Sequence, residues 1–326
     1  MNRPLREGFN MAEEAEKKLK DVYKEGVLFQ PPGTSVKAPL FDMDRVWKIM
    51  DGAIDIHVHP GPEAYATRMY TELEMAYQAC DVGMAAMVFK CHSVATSRCT
   101  KFIQVGLDQW AKEHGKHKTD LFGGVVLNYA VGGLNPEAVV VNARLGGKYV
   151  WLPSLDSAYH HEGMGATGGI EVLDENDNVV PPLKEIFSII AETDMVLGLC
   201  HQTTKERFIL IDEANKMGVR RIEIVHPNFQ IYKMSVDELK MAAEKGAYLG
   251  LYCWSLAPPL FDEELTLRAI KEVDTSHIVI GTDNGMFNED SPVEGMRKYI
   301  TWMLLSGIPD KTVKRMVQAN ARELLY

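Results

Sequence analysis

The chain is predicted to fold as an α/β protein, a (β/α)8 TIM barrel with an N-terminal helical extension and a long loop after the fourth strand. Three observations predict it. From about residue 53, eight short apolar runs recur, each followed by a helix-like stretch. The runs are near-continuously apolar and rich in Val, Ile and Leu, as strands buried on both faces of a parallel sheet must be. Five of the ten histidines stand at or just past the C-terminal ends of these runs, where this fold assembles its active sites.

In chain order, residues 9–25 have the pattern of a charged amphipathic helix, and Gln30–Pro39 (QPPGTSVKAP) that of a Pro/Gly-rich linker. Residues 1–50 are therefore expected to form an arm outside the repeat, placed to cover the barrel bottom or a partner subunit, and residues 51–326 the barrel. The runs are Ala53–Val58, Ala85–Phe89, Phe122–Leu127, Tyr149–Leu152, Met195–Leu199, Arg221–Val225, Ala247–Tyr252 and His277–Ile280. Helix starts are marked by capping boxes at Thr203/Glu206, Ser235/Glu238 and Ser291/Glu294, the last with Pro292 at its first helical position. Gly218 and Gly246 are placed to end helices just before the next strand. No glycine-rich dinucleotide fingerprint follows the first run, where Pro60-Gly61-Pro62 obstructs a helix start. Between Pro153 and Pro182 the connection is long, with a hairpin predicted to pair Ile170–Leu173 with Asn178–Val180. A long loop after a barrel strand lies on the catalytic face, and Asp156–Pro181 is expected to act as a lid.

Composition bounds the partners. The 326 residues are 46% apolar, enough for one large core, and the formal net charge is −10. A negative balance disfavours sequence-independent nucleic-acid binding. No apolar run approaches the length needed to span a bilayer. Five cysteines without regular spacing, in a chain that opens without a signal peptide, point to reduced thiols in the cytoplasm. A small-molecule substrate and a homo-oligomer are expected.

His57 and His59 form the sharpest pair. Residues i and i+2 of a strand point to the same side, so both imidazoles can enter the barrel mouth and meet one ion. A lone buried histidine more often completes a core hydrogen bond, and a lone aspartate after a strand often caps a turn. Here His201, His226 and Asp283 end the fifth, sixth and eighth runs, so three further candidate ligands converge on one mouth. Imidazoles with a carboxylate suit Zn2+, Fe2+ or Mn2+.

The motifs DIHVHP, LCHQ, IVHP and GTDNG, in that order, resemble the His-x-His, strand-five histidine, strand-six histidine and strand-eight aspartate of the amidohydrolase superfamily. GIPDKTVKRMVQANARELL resembles the helix that closes many members, and HPGPE the opening of uncharacterised bacterial ones, so the resemblance spans roughly residues 50–326. Binuclear members bridge two metals with a carboxylated lysine, usually at the end of strand four. Here that segment reads YVWLPS, and Lys148 precedes it. The departure favours the one-metal pattern of the aminocarboxymuconate semialdehyde decarboxylase-like branch. The resemblance then implies His57, His59, His201 and Asp283 as metal ligands and His226 as a catalytic group. Lys90 and His92, after strand two, are candidates for substrate binding, with Lys90 either holding an anionic substrate or, carboxylated, bridging a second ion. Arg68 and Arg98 are further candidates for a substrate carboxylate.

The expected activity is metal-dependent hydrolysis of an amide, cyclic amide or lactone. Asp283 would move the proton of a metal-activated water, and His226 would stabilise the developing oxyanion. The cofactor is expected to be one divalent ion, Zn2+ ahead of Mn2+ or Fe2+. Two alternatives stand beside it: non-oxidative decarboxylation or another lyase step on a carboxylated small molecule, and a catalytically silent metabolite-binding barrel.

Overall fold

Each of the eight apolar runs forms a strand, and the strands pair in chain order, all parallel. A computed structural model describes residues 42–254 and 261–326. By its contacts the chain separates into Met1–Asp44 and Arg45–Tyr326. Of the first unit only Asp42–Asp44 are described, where the Asp42 carboxylate accepts the Asp44 N–H at the start of helix α1 (Met43–Met50). The expected arm helix over 9–25 and the linker Gln30–Pro39 lie outside the described residues.

The strands are β1 (Ile54–Val58), β2 (Ala86–Phe89), β3 (Asp120–Val126), β4 (Tyr149–Trp151), β5 (Val196–Leu199), β6 (Ile222–Val225), β7 (Tyr248–Tyr252) and β8 (Ile278–Gly281). Helices alternate with them: α2 (Glu72–Asp81), α3 (Ser97–Glu113), α4 (Pro136–Arg144), the short α5 (Ala158–Gly163) and α6 (Pro181–Thr193) in the first half. The second half carries α7 (Thr204–Lys216), α8 (Val236–Glu244), α9 (Glu263–Glu272) and α10 (Pro292–Leu305). Ladder pairing runs from β1 to β8, and the seam between β8 and β1 is closed differently. There the Asp55 carboxylate accepts from Thr282 N–H (3.0 Å), Thr282 Oγ1–H (2.7 Å) and His57 N–H (3.2 Å). One turn higher the main chain takes over, with Asp283 N–H donating to His57 C=O and His59 N–H to Asn284 C=O, both at 2.9 Å. Barrel closure is thus built around a buried side chain that two strands share.

Capping explains the helix starts. Thr203/Glu206 and Ser235/Glu238 form complete boxes, as does Thr71/Glu74, which the sequence pattern had not singled out. At Ser291 only half a box forms: Ser291 Oγ accepts the Glu294 N–H, but Arg297 forks the Glu294 carboxylate away from the cap. Gly218 and Gly246 sit at φ +88° and +87°, the left-handed turns that end α7 and α8.

The N-terminal end of the barrel is plugged by the C-terminal helix α12 (Asn320–Leu325), which follows the short α11 (Asp310–Lys314) and a single π-helical turn at Arg315–Ala319. Asn320 Nδ2–H donates to the carbonyls of Thr275 and Ile278, and Ala321, Leu324 and Leu325 join the interior with Ile54, Ala86 and Val196. At the other end, the connection after β4 holds α5 and a reduced version of the expected hairpin. Leu173 and Val179 form an antiparallel bridge, flanked by Asp174 N–H to Asn178 C=O at 2.8 Å.

The seam makes a direct prediction. Asp55→Ala strands two N–H groups and one hydroxyl in a dry interface, and each buried group left unsatisfied costs about 1–3 kcal/mol. Chemical denaturation should show a loss of about 3 kcal/mol or more. A loss below about 1 kcal/mol would mean that the barrel closes without this carboxylate.

Candidate functional site

β1 places Asp55, His57 and His59 on one side by its two-residue period, Asp55 towards the seam and the two imidazoles into the mouth. His57 is fully buried; its Nδ1 lies 3.1 Å from Tyr252 Oη and its Nε2 3.3 Å from Asp283 Oδ1. His59 Nε2 lies 3.0 Å from the same carboxylate oxygen. His57, His59 and Asp283 are thereby brought together, each offering a ligand atom within 4.8 Å of the others. Asp283 reaches this place because it leaves β8 at φ +59°, a left-handed conformation that Asp tolerates better than most residues.

His226 ends β6 in the same way, at φ +39°. Its ring stacks on Phe229, with centroids 4.9 Å apart, and lies 6.5 Å from the His57 ring. His201 ends β5 with its ring 4.0 Å from that of Tyr232 and 5.1 Å from that of His226. His201 and His226 therefore face the same mouth from the opposite wall, outside the three-ligand cluster. From the long loop, His160 Nδ1 meets Tyr232 Oη at 2.6 Å, which ties α5 to the loop after β6.

Of the candidates for substrate binding, Lys90 is the deepest. Its side chain is buried, with Nζ 5.7 Å from the centre of the Trp151 ring and 3.9 Å from Cys200 Sγ. His92 packs edge-on against His59, with centroids 4.7 Å apart, and its N–H donates to Glu63 Oε1 at 2.6 Å. Arg68 forks the same Glu63, donating from Nε to Oε2 at 2.6 Å and pairing through Nη2, while Nη1 touches Met286 Sδ. Arg98 is exposed on α3, its guanidinium 5.8 Å from the centre of the Phe102 ring. Glu63 was not singled out from sequence, and a carboxylate between two prolines and an alanine carries no periodic signal. The group His59, Glu63 and His92 also has ligand atoms within 4.8 Å of one another, but the Arg68 fork and the His92 N–H already occupy the Glu63 oxygens.

Burial dominates the electrostatics. It holds His57, His59, His92 and His201 well below the usual imidazole range, helped by Lys90 and neighbouring imidazoles for His57, and by Arg68 and Lys90 for His59. Burial pushes His226 down to about 3, although Asp283 pulls the other way. These rings are neutral at physiological pH, with a lone pair each for a ligand. Burial also pushes Asp283 up, and Asp55 and Glu223 up to about 7, despite their hydrogen bonds.

Five buried imidazole nitrogens at this mouth have no hydrogen-bond partner: His57 Nε2, His59 Nδ1, His92 Nδ1, His201 Nδ1 and His226 Nδ1. Buried polar atoms are rarely left so, and a cluster of them asks for a ligand. Adjacent ligands of an ion held at about 2.1 Å stand roughly 3.0–3.4 Å apart. The 3.0 and 3.3 Å separations across His59, Asp283 and His57 match that spacing. The residues fit a divalent transition metal.

Residues 52–250 match the model of a family described as of unknown function, DUF6282. The chain belongs to that family. No functionally curated protein matches this DUF6282 chain. Among solved structures it is similar to an amidohydrolase from Pseudomonas aeruginosa, with TM-score 0.61 and 14% identity over 87% of this chain and 98% of that one. It is similar also to the probable dipeptidase PvdM from Pseudomonas aeruginosa, with TM-score 0.60 and 9% identity over 87% and 97% of the two chains. A third is the uncharacterised TIM-barrel protein Bb4693 from Bordetella bronchiseptica, with TM-score 0.50 and 11% identity over 84% and 98%. At these identities the likeness carries the fold, which is the barrel that the four motifs imply. No helix among the described residues is long and apolar enough to cross a membrane.

The Glu63 clamp predicts a local phenotype in this DUF6282 protein. Glu63→Ala leaves a buried guanidinium and the His92 N–H without their acceptor, a loss of about 3 kcal/mol for a broken buried pair. Hydrogen exchange should report faster exchange at His92 and through residues 60–71. Unchanged protection would show that the clamp does not hold this loop.

Proposed function

We propose that the protein is a metal-dependent hydrolase that uses a metal-activated water to cleave an amide, cyclic amide or lactone bond of a small molecule. The observation that carries the reading is the convergence of His57 Nε2, His59 Nε2 and Asp283 Oδ1 at ligand spacing on the C-terminal face of the barrel. With His201 added by resemblance, these residues would hold one divalent ion, Zn2+ ahead of Mn2+ or Fe2+. When bound, such an ion polarises a carbonyl and makes water acidic.

The remaining steps fall to the side chains. Asp283 takes the proton of the attacking water and passes it to the leaving group, a role that suits a carboxyl raised by burial. His226, neutral and with Nδ1 unpartnered, faces the mouth from the opposite wall and donates to the oxygen on which charge develops. Lys90 binds the negative end of the substrate. No carboxylate among the described residues pairs with Lys90, and Arg68 is already engaged by Glu63. The same lysine, with no carboxylate partner among the described residues, favours a second reading, decarboxylation of a carboxylated substrate, which release of CO2 from carboxylated aromatics would distinguish.

Elemental analysis of protein prepared without chelators should find about one equivalent of a divalent transition metal, lost in His57→Ala and His59→Ala. Asp283→Asn keeps one coordinating oxygen and should retain much of the metal. In a screen of amides and lactones it should lose roughly a hundredfold or more in turnover. His226→Asn should keep the metal more fully. Metal-free wild type after growth with added metal would sink the proposal. Two equivalents would make Lys90 a bridge, and metal loss in His226→Asn would make His226 a ligand.

A further inference from the structure

Below the mouth runs a chain of buried polar groups that links four strands. Tyr149 of β4 donates from Oη to Glu223 Oε2 at 2.9 Å, and Tyr252 of β7 donates to Glu223 Oε1 at 2.5 Å. Tyr252 Oη lies 3.1 Å from His57 Nδ1. All four side chains are fully buried. An ionisable residue in the middle of β6 is costly unless its acceptors are satisfied, and here two phenols satisfy them.

The chain backbone makes room for this arrangement. A Cβ at Gly250 would lie 2.2 Å from Glu223 Oε1, and one at Gly281 would lie 2.8 Å from Tyr252 Cε1 and 3.3 Å from His57 Cβ. Any side chain at Gly250 displaces the carboxylate, and any at Gly281 crowds the tyrosine against the histidine.

Hydrogen-bond direction then has a consequence for the metal centre. A phenol has one proton. With Glu223 ionised, Tyr252 spends its proton on that carboxylate, so towards His57 its oxygen can only accept. His57 must donate from Nδ1, which leaves Nε2 as the bare lone pair. Nε2 is the atom that faces Asp283 at 3.3 Å, and it has no hydrogen-bond partner. We infer that the Glu223–Tyr252 pair is a positioning device that locks His57 in the Nδ1–H tautomer and so presents Nε2 as a preformed metal ligand. Glu223 and Tyr252 touch neither metal nor substrate and act through His57. As a metal-site device it rests on the metal-dependent reading, while the tautomer itself does not.

Nitrogen-15 NMR of the full chain with labelled histidine, kept metal-free, reads the tautomer directly, with the His57 signal assigned by its loss in His57→Gln. At a pH well above 7, where Glu223 is ionised, the expected result is protonated Nδ1 and bare Nε2 in the wild type; protonated Nε2 would overturn the inference. Tyr252→Phe removes the acceptor and should mix the tautomers, while Zn2+ affinity, measured against a competing chelator, falls roughly 10–100-fold. Glu223→Leu removes both acceptors, frees the Tyr252 proton for His57 and should act in the same direction, and it serves if Tyr252→Phe fails to fold. Tyr149→Phe deletes the other donor to Glu223 without touching His57 and should leave the tautomer unchanged. Unaltered tautomer and affinity in folded Tyr252→Phe or Glu223→Leu would overturn the assignment, as would an equal effect from Tyr149→Phe. If the wild type shows the tautomer but binds no Zn2+, the metal reading falls and the hydrogen-bond direction stands.

Discussion

The site depends on the way β8 closes onto β1. A parallel barrel needs its last strand to meet its first, and here the lower part of that seam is joined by a side chain instead of a ladder. Asp55 spans it, accepting from both strands, and the main chain of His57, His59, Asp283 and Asn284 continues the join above. The two imidazoles and the carboxylate of the candidate metal site come from opposite sides of that join. Their separations are therefore set by barrel closure itself, and a loosened seam would open the ligand set before it unfolded the barrel.

Strand ends supply the second constraint. Along a barrel strand side chains alternate between the interior and the outside, and a sharp backbone turn re-aims those just past its end. β6, β7 and β8 are each followed by a residue at positive φ: His226 (+39°), Trp254 (+32°) and Asp283 (+59°). His and Asp accept this conformation at modest cost, whereas a bulky residue such as Trp does so rarely. Three successive turns of one kind, two of them at candidate site residues, fit strain retained to aim side chains inwards. The Trp254 ring stacks near Phe229, which itself backs the His226 ring, so the turn after β7 supports the imidazole after β6.

How much of this was legible in the sequence follows from what each feature depends on. The eight strands and the inward-facing His57 and His59 depend on local periodicity, which a sequence displays directly. Gly218, Gly246 and two of the three proposed caps are likewise local. The Ser291 box failed in part because a competing cation, Arg297, lies three residues beyond Glu294, a contest that spacing alone does not decide. The Glu63 clamp, the Asp55 seam and the Tyr252–Glu223 pair join residues about 5 to 230 positions apart, and no short motif encodes them. One signal was present all the same. Glu223 interrupts an otherwise apolar buried run, and a carboxyl there obliges the fold to supply donors. Tyr149 and Tyr252 passed as apolar strand residues because a phenol satisfies both descriptions.

The charge balance of the interior supplies the last step. Asp55, Glu223 and Asp283 are all raised by burial, and Asp283 adds to the rise in the other two. Against these three carboxyls the surrounding imidazoles are neutral, and Lys90 is the buried cation that acts on both Glu223 and Asp283. One lysine does not balance three carboxylates, so part of this set must hold protons or the mouth must gain positive charge. A divalent ion held by His57, His59 and Asp283 would supply that charge where the carboxylate most exposed to the mouth stands, and would favour ionised Asp283 without charging any imidazole. The chain's net negative charge thus has a counterpart inside the barrel. An interior arranged in this way would favour a cation among the carboxyls, and on the proposed function an anionic substrate beside Lys90.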